Sequence, residues 1–396
     1  MSLLDFTEKS LRVIMTVLEN DISPEDLKKI KELRELVKDD ISPYYDTDFN
    51  ILRWLQGHNT LPLAEIARKM KFHLNLRAAW NLDELHKKER NHPIHKHWKY
   101  GITGPSGHME NVIVNIEQCG KTDYTGMMET YSILEVMRAR MVDLEQMLAH
   151  VMEMEAKTGK QAWILYVMDI TGLQYNKKLY DLVTGSMKSL ADFMADHYVE
   201  MIKYFVPVCV PSFATALYVV VRPLLPEKTR EKVRLIGETN WRDDVLQYAV
   251  HSSLPSIWNN EDHTFGGFIE LPVSYPTDGY YSAKNHSVIK NAQTVNVPYG
   301  KIHVVTKFIK QGGTLKWWVR GNRNFGFGVF YSDEEQVSDF FIAKQFSPCF
   351  PCMPGPTLVP MEDEVIVKKD AYYHIWVSNE KSWWRSLEVQ LLVESK

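Results

Sequence analysis

Cysteine is scarce: Cys119, Cys209, Cys349 and Cys352 are the four in 396 residues. That number excludes a small scaffold stapled by disulfides and suits a reducing compartment. Charge of one sign is also lacking. The 46 Lys and Arg nearly cancel the 50 Asp and Glu, leaving a formal net charge of -4, without the basic excess of a general nucleic-acid binder. No nucleic-acid partner is expected. The first twenty residues hold no unbroken apolar core, because Asp5, Glu8, Lys9 and Arg12 interrupt it, so no secretory signal is expected and a cytoplasmic protein is. One run without formal charge, Tyr204–Val221, reaches the lower edge of membrane-spanning length. Pro207 and Pro211 divide it into a β-branched half and a half with helical spacing, which predicts a strand followed by a helix rather than a span.

Familiar catalytic signatures are missing as well. The chain has no GxSxG, no GxxxxGK[ST], no HExxH and no GxGxxG after a strand. Gly101, Gly104 and Gly107 in GITGPSGH lack the Lys-Ser/Thr ending of a phosphate loop and read as a turn-rich loop. His92, His95 and His97 have no nearby thiol or carboxylate to complete a metal set, and Pro93 breaks the helix that would space them, so a solvated surface loop is expected. Cys349 and Cys352 have the spacing of a zinc half-site without its other half, and read as a partly buried loop. No metal site is expected. Asp169, at the end of VMD, is either a catalytic acid or the cap of the turn that Gly172 permits. No nucleophile or base partners it, so neither catalytic residues nor a cofactor are expected, and a binding protein is expected rather than an enzyme.

What is present falls into three parts. Helix signals mark the first: Ser23-Pro24-Glu25-Asp26 offers a capping hydroxyl, a proline suited to the first helical position and acids for the positive end of the dipole. Further helices are expected over 48–56 and from about Leu63. The second part has three apolar strand-like runs, at 111–117, 162–170 and 202–210, separated by helical segments. In one of these, Leu134, Met137, Met141, Leu144, Leu148 and Val151 follow three-four spacing up to Gly159; a second is expected from Lys177 to Asp196. Strands apolar on both faces and alternating with helices predict an α/β layer. Past Trp258 the helical period ends, and six short alternating runs between residues 301 and 393 predict an antiparallel β-sandwich. The expected parts are a helical N-lobe at 1–85, an α/β domain at 86–265 and a jelly-roll-like all-β domain at 270–396. Seventeen methionines and the aromatic strands could furnish an adaptable apolar pocket.

Three stretches, taken in order, resemble the CRAL-TRIO lipid-transfer family whose members carry a C-terminal GOLD domain. They are DTDFNILRWLQGHN at 46–59, WILYVMDITGL at 163–173 and the long run from His197 to Gly237. GGTLKWWVRGNRNFGFGVFYS at 312–332 and the closing strands at 365–393 resemble GOLD strands. The resemblance implies a cytosolic, non-enzymatic carrier that holds one lipid under a mobile gate helix, about Pro211–Leu225, and exchanges it during transient membrane contact. It implies pocket and gate residues Met168, Tyr198, Phe205, Phe213, Leu217, Tyr218 and Val221. For a phosphoinositol head group it implies Glu200, Thr229 and Lys232, whose carboxylate, hydroxyl and ammonium suit ring hydroxyls and phosphate. Three departures from the family pattern matter: Val199 where Tyr-Pro-Glu has proline, His58-Asn59 for Arg-Lys, and Asn259-Asn260 for Gly-Gly. They leave a phosphatidylinositol-type lipid and a tocopherol- or squalene-like isoprenoid both open. The GOLD resemblance implies a possible protein partner, and a trafficking adaptor with a side-chain-filled fold is the alternative.

Overall fold

A computed structural model describes residues 21–173, 185–224, 227–281 and 291–396. Helices α1 (Pro24–Val37), α2 (Asp48–Gly57) and α3 (Leu63–Trp80) form the N-lobe. The Ser23 hydroxyl accepts from Asp26 N at 3.1 Å and Thr47 Oγ1 from Asn50 N at 3.1 Å, so the first two helices start where side chains can satisfy orphan amides. The third stops at Asn81, which takes the left-handed conformation (φ 50°). A single turn, α4 (Ile94–His97), leads into the sheet.

That sheet has the order β1 (Tyr100–Pro105), β2 (Val112–Glu117), β3 (Trp163–Asp169), β4 (Ile202–Val208). β1 runs antiparallel to β2, and β2, β3 and β4 are mutually parallel. Parallel neighbours need crossovers, here α5 (Tyr124–Thr130) with α6 (Ile133–Thr158), and then α7 (Ser186–His197). A Ser132–Glu135 capping box opens α6 and Gly159 (φ 69°) closes it. The expected helix from Lys177 lies outside the described residues up to 184.

Alternation along the strands sends side chains to two cores. Ile113, Ile164, Tyr166 and Ile202 join the core made with α6 and the N-lobe. Val112, Val114, Leu165, Val167, Val206 and Val208 face a back layer of Ile236, Trp241, Val245, Leu254, Trp258 and Phe265. After β4 come α8 (Ser212–Val221), a 3-10 turn at Arg222–Leu224, α9 (Glu227–Lys232) and α10 (Trp241–Val245).

The C-terminal part pairs two four-stranded antiparallel sheets. One is ordered β10 (Met361–Ile366), β7 (Thr314–Gly321), β12 (Leu387–Ser395), β5 (Gln293–Val297). The other is β6 (Ile302–Ile309), β11 (Ala371–Ser378), β8 (Phe325–Ser332), β9 (Lys344–Met353). Trp317, Phe327, Val329 and Ile375 fill the space between them. Edge strand β9 meets the rest of the molecule: Gln345 Nε2 donates to Phe72 O at 3.1 Å, Lys344 pairs with Asp40 at 2.6 Å, and Phe350 lies 5.5 Å from Phe193, centroid to centroid.

Four expectations need correcting. Gly101 and Gly104 lie on strand β1, not in a loop. A Cβ at Gly101 would sit 2.9 Å from Ile269 Cγ2, and one at Gly104 (φ 149°) 2.7 Å from Ser253 Oγ, so glycine lets the back layer cross the strand. His95 is buried, with Nε2 3.2 Å from Ala139 O, and His97 stacks on Tyr275 at 3.7 Å, so these histidines pack rather than sit in solvent. Cys349 and Cys352 are strand residues of β9. The sandwich also has eight described strands where six runs were expected; β5 and β9 are the additions.

Candidate functional site

The crossing from α7 into β4 forms one wall of the site. Glu200 adopts a left-handed backbone (φ 53°), an unusual state for a non-glycine residue. It turns the chain so that its carboxylate meets Lys232 Nζ of α9 at 2.8 Å, both side chains half-buried. Tyr198, two residues earlier, points inward, and its hydroxyl donates to Glu145 Oε1 at 2.8 Å. Burial foremost, then the Glu145 charge, pushes the Tyr198 phenol well above its usual pKa.

A cavity of about 380 Å³ opens between these elements. Glu200, Thr229, Lys228 and Lys232 form its polar side, and Met194, Ile202 and Phe205 its apolar side, with Tyr198, Gly57 and His58 completing the wall. The three candidate head-group residues and two of the candidate pocket residues therefore share one cavity. Met168, Phe213, Leu217 and Tyr218 are half-buried and are not among its lining residues. The side chain of Val221 lies outside the described residues.

The N-lobe contributes through α2. His58 follows it, and burial, then Lys69 and Lys228, lower its pKa to about 4, so it is neutral at physiological pH. Lys228 of α9 reaches back to the end of the same helix, donating to Gln56 O, to Gly57 O at 3.0 Å and to Asn59 Oδ1 at 3.1 Å. A cation on the last carbonyls of a helix is well placed against its dipole. Reading the sequence missed this lysine, because nothing local to it announces a target more than 160 residues away.

Behind Tyr198 lies a buried ionic array. Arg77 donates to Glu145 at 2.8 and 3.0 Å and to Asp83 Oδ1 at 2.9 Å, with Tyr45 4.3 Å beneath the guanidinium. Arg53 pairs with Glu155. Nearer the sheet, Glu117 accepts from Trp98 Nε1 (2.7 Å), Tyr124 (2.9 Å), Tyr166 and Arg140. These arrays fix α6 to the N-lobe and to the sheet front, which makes the cavity wall rigid on that side.

α8 is different. It carries no charge, and none of Ser212–Val220 is fully buried. Val219 and Val220 are 65% and 63% exposed. An apolar helix left partly in water, rather than packed away, is loosely tied to the core. No described helix is long and apolar enough to cross a membrane.

Asp169 is spoken for. Its Oδ1 accepts from Thr171 N at 2.9 Å and its Oδ2 from Trp258 Nε1 at 2.8 Å, so it caps its turn and ties the back layer to β3. Among the described residues no group of His, Cys, Asp and Glu could hold a metal ion.

Residues 95–267, the segment that builds the sheet, both its faces and α8, match the profile described as the CRAL/TRIO domain. The chain carries a CRAL-TRIO domain. It is the domain that the sequence resemblance implied. Residues 22–85 match a domain of unknown function and residues 279–396 an F28H7_8_C-like, C-terminal domain. The chain is similar to the CRAL-TRIO domain-containing protein F28H7.8 of Caenorhabditis elegans, 25% identical over 95% of this chain and 93% of that one. It is also similar to protein ctg-1 of the same organism, 20% identical over 76% of this chain and 79% of that one. Among solved structures, Sfh5 aligns at 14% identity and a TM-score of 0.43, covering 54% of this chain and 81% of Sfh5.

Proposed function

We propose that this CRAL-TRIO protein carries a single lipid, with its polar end in the cavity at Glu200, Thr229 and Lys232 and its apolar part toward Phe205 and Met168 under α8. The observation that carries this reading is the shared cavity, which sets a carboxylate, a hydroxyl and an ammonium against Met194, Ile202 and Phe205. The Lys232–Glu200 pair supports it chemically. A phosphate entering the cavity would take over Lys232, and the freed Glu200 would accept from ring hydroxyls, so the pair keeps both groups satisfied while no head group is bound. His58 is neutral and adds no positive charge at the entrance, and the Lys228 ammonium is turned onto carbonyls, so Lys232 is the cation that faces Glu200. A weakly anionic phosphoinositol lipid and a neutral isoprenoid thus both remain candidates for the ligand.

Exchange takes place at a membrane through α8. Val219 and Val220, about two-thirds exposed, lose roughly 1–2 kcal/mol of unfavourable exposure each on full transfer into acyl chains, and the helix has no charge to drag with it. The β-sandwich is a GOLD-like module for a protein partner or membrane. The adaptor alternative draws on the buried Glu117–Tyr166–Arg140 cluster, which occupies part of the sheet front with side chains.

Native mass spectrometry of the purified chain, with organic extraction of whatever is bound, separates the two. A one-to-one lipid supports the carrier. A chain that is empty and takes up nothing from vesicles refutes it. In a vesicle-to-vesicle transfer assay Lys232→Met and Glu200→Gln then lower transfer of phosphatidylinositol and leave transfer of a tocopherol-type lipid unchanged if the cavity holds a phosphorylated head group.

A further inference from the structure

The end of the sandwich formed by residues 379–386 carries two tryptophans left largely in water, Trp384 with the Arg385 guanidinium 4.2 Å over its ring. This turn joins β11 to β12, and Trp383 and Trp384 are 88% and 72% exposed. Indole rings bury large apolar areas wherever they can, so two adjacent ones at a loop tip mark a surface awaiting a partner. The loop itself is firmly built. Asn379 Nδ2 donates to Val297 O (3.0 Å) and to Arg385 O (2.9 Å), and Ser382 Oγ to Arg385 O (2.9 Å).

Two neighbouring turns join it. Asn379 exchanges backbone hydrogen bonds with Lys301 O (2.8 Å) and Gly300 N (3.0 Å), bringing up exposed Tyr299 and Lys301. Arg323, from the turn between β7 and β8, donates to Ser386 O at 3.2 Å. The aromatic tip is thus surrounded by Lys301, Arg323, Lys381 and Arg385, and among the described residues none of these four cations has an ion-pair partner. Of the acids nearby, Glu380 accepts from Ser378 Oγ at 2.8 Å, and Asp192 and Asp196 of α7 share a small pocket with Lys381. Below the tip, Arg323, Lys381, Ser378 and Ser382, with Phe325 and Pro351, line a crevice of about 410 Å³.

We infer that this end of the β-sandwich docks on an anionic lipid bilayer, with Trp383 and Trp384 in the interfacial layer and the four cations on lipid phosphates. Tryptophan sits at the boundary of head groups and acyl chains, and each nearby Lys or Arg is drawn to anionic lipid. A convex tip with unpaired cations fits a plane of negative charge. A second copy of the same end would set four cations against four. The location is also apt: Lys381 lines a small pocket with Ser189 and Asp192 of α7, while Ala191, Met194 and Ala195 of that helix line the lipid cavity. One helix separates the two.

Co-sedimentation of the full chain with phosphatidylcholine vesicles, with and without phosphatidylserine, tests this. The wild-type chain partitions onto the phosphatidylserine vesicles and is released by high salt. Trp383→Ala with Trp384→Ala, and separately Lys381→Glu with Arg385→Glu, lower the partition coefficient by about tenfold or more. Both variants keep the wild-type thermal midpoint and, by native mass spectrometry, the wild-type lipid load. Loop variants that partition like the wild type overturn the inference. So does a wild-type chain that binds neither vesicle, which would leave the tryptophans to a protein partner.

Discussion

Gly57 and Val199 meet where the N-lobe closes the cavity beside Glu200, and their contact leaves no room for a side chain. A Cβ on Gly57 would lie 2.0 Å from Val199 Cγ1, against about 3.4 Å for ordinary contact, so Gly57→Ala forces a displacement of about 1.4 Å. Val199 is buried and branched, and cannot swing aside as a long side chain would. Overpacking of this kind costs about 1–3 kcal/mol. Val199→Ala alone removes two buried methyl groups, at about 0.8 kcal/mol each, for a loss of about 1.6 kcal/mol. The two substitutions together remove the clash, because the remaining Cβ–Cβ distance is 3.5 Å. The double variant should therefore be about as stable as Val199→Ala alone, with a favourable coupling of about 1–3 kcal/mol. Thermal and urea denaturation of the four chains measures this, at about 2–4 °C of Tm per kcal/mol for a domain of this size. Equal stability of Gly57→Ala and wild type, or strictly additive losses, would refute the packing argument.

Other expectations follow from the buried groups. Arg77→Met leaves Glu145, a fully buried carboxylate, with the Tyr198 hydroxyl and without the Arg77 cation, and should cost about 3–5 kcal/mol in urea denaturation; a loss below about 1 kcal/mol would mean that the buried ion pair contributes little. His58, lowered to about 4, and His197, lowered to about 3, both mainly by burial, bind fewer protons folded than unfolded. Their contribution is complete above the unfolded pKa near 6.5 and is lost as pH falls from there toward the folded values. Tm should accordingly fall from pH 7 to pH 5, and His58→Gln should flatten that slope; a slope unchanged in the variant would count against His58. Burial raises the thiol pKa of Cys119 and of Cys349. A thiol reagent should therefore leave both unmodified in the native chain at neutral pH, with peptide mapping as the readout.

Much of this architecture could be read from the chain because its signals are local. Ser23-Pro24 and the Ser132–Glu135 box announce helix starts by satisfying amides within one turn. The runs at 111–117, 162–170 and 202–210 announce buried parallel strands because both faces are covered. The misses have physical causes too. β9 holds Pro348 and Pro351, which argue against a strand, yet it is an edge strand with irregular register where missing amide donors are tolerated. β5 alternates only over Gln293–Val297, in surroundings rich in turn residues, and again lies at an edge. The histidines at 92–97 look solvated in sequence, and it is the α6 segment around Ala139 that buries His95 and the chain at Val273 that meets His97. In the site, the types of Glu200, Thr229 and Lys232 were legible through the family pattern. The left-handed turn at Glu200 and the reach of Lys228 depend on elements far apart in the chain, which no local pattern encodes.

The grip of Lys228 on the end of α2 also constrains how α8 can travel. Upstream of the helix, Val210 N donates to Ile236 O at 2.9 Å, fixing the chain to the back layer. Downstream, Lys228 fastens it to the N-lobe. Held on both sides, α8 lies between two fixed points rather than at the end of a loose arm. Under the carrier proposal it would have to turn about that line, exchanging the half-buried Phe213 and Leu217 for the exposed Val219 and Val220, without lengthening the chain.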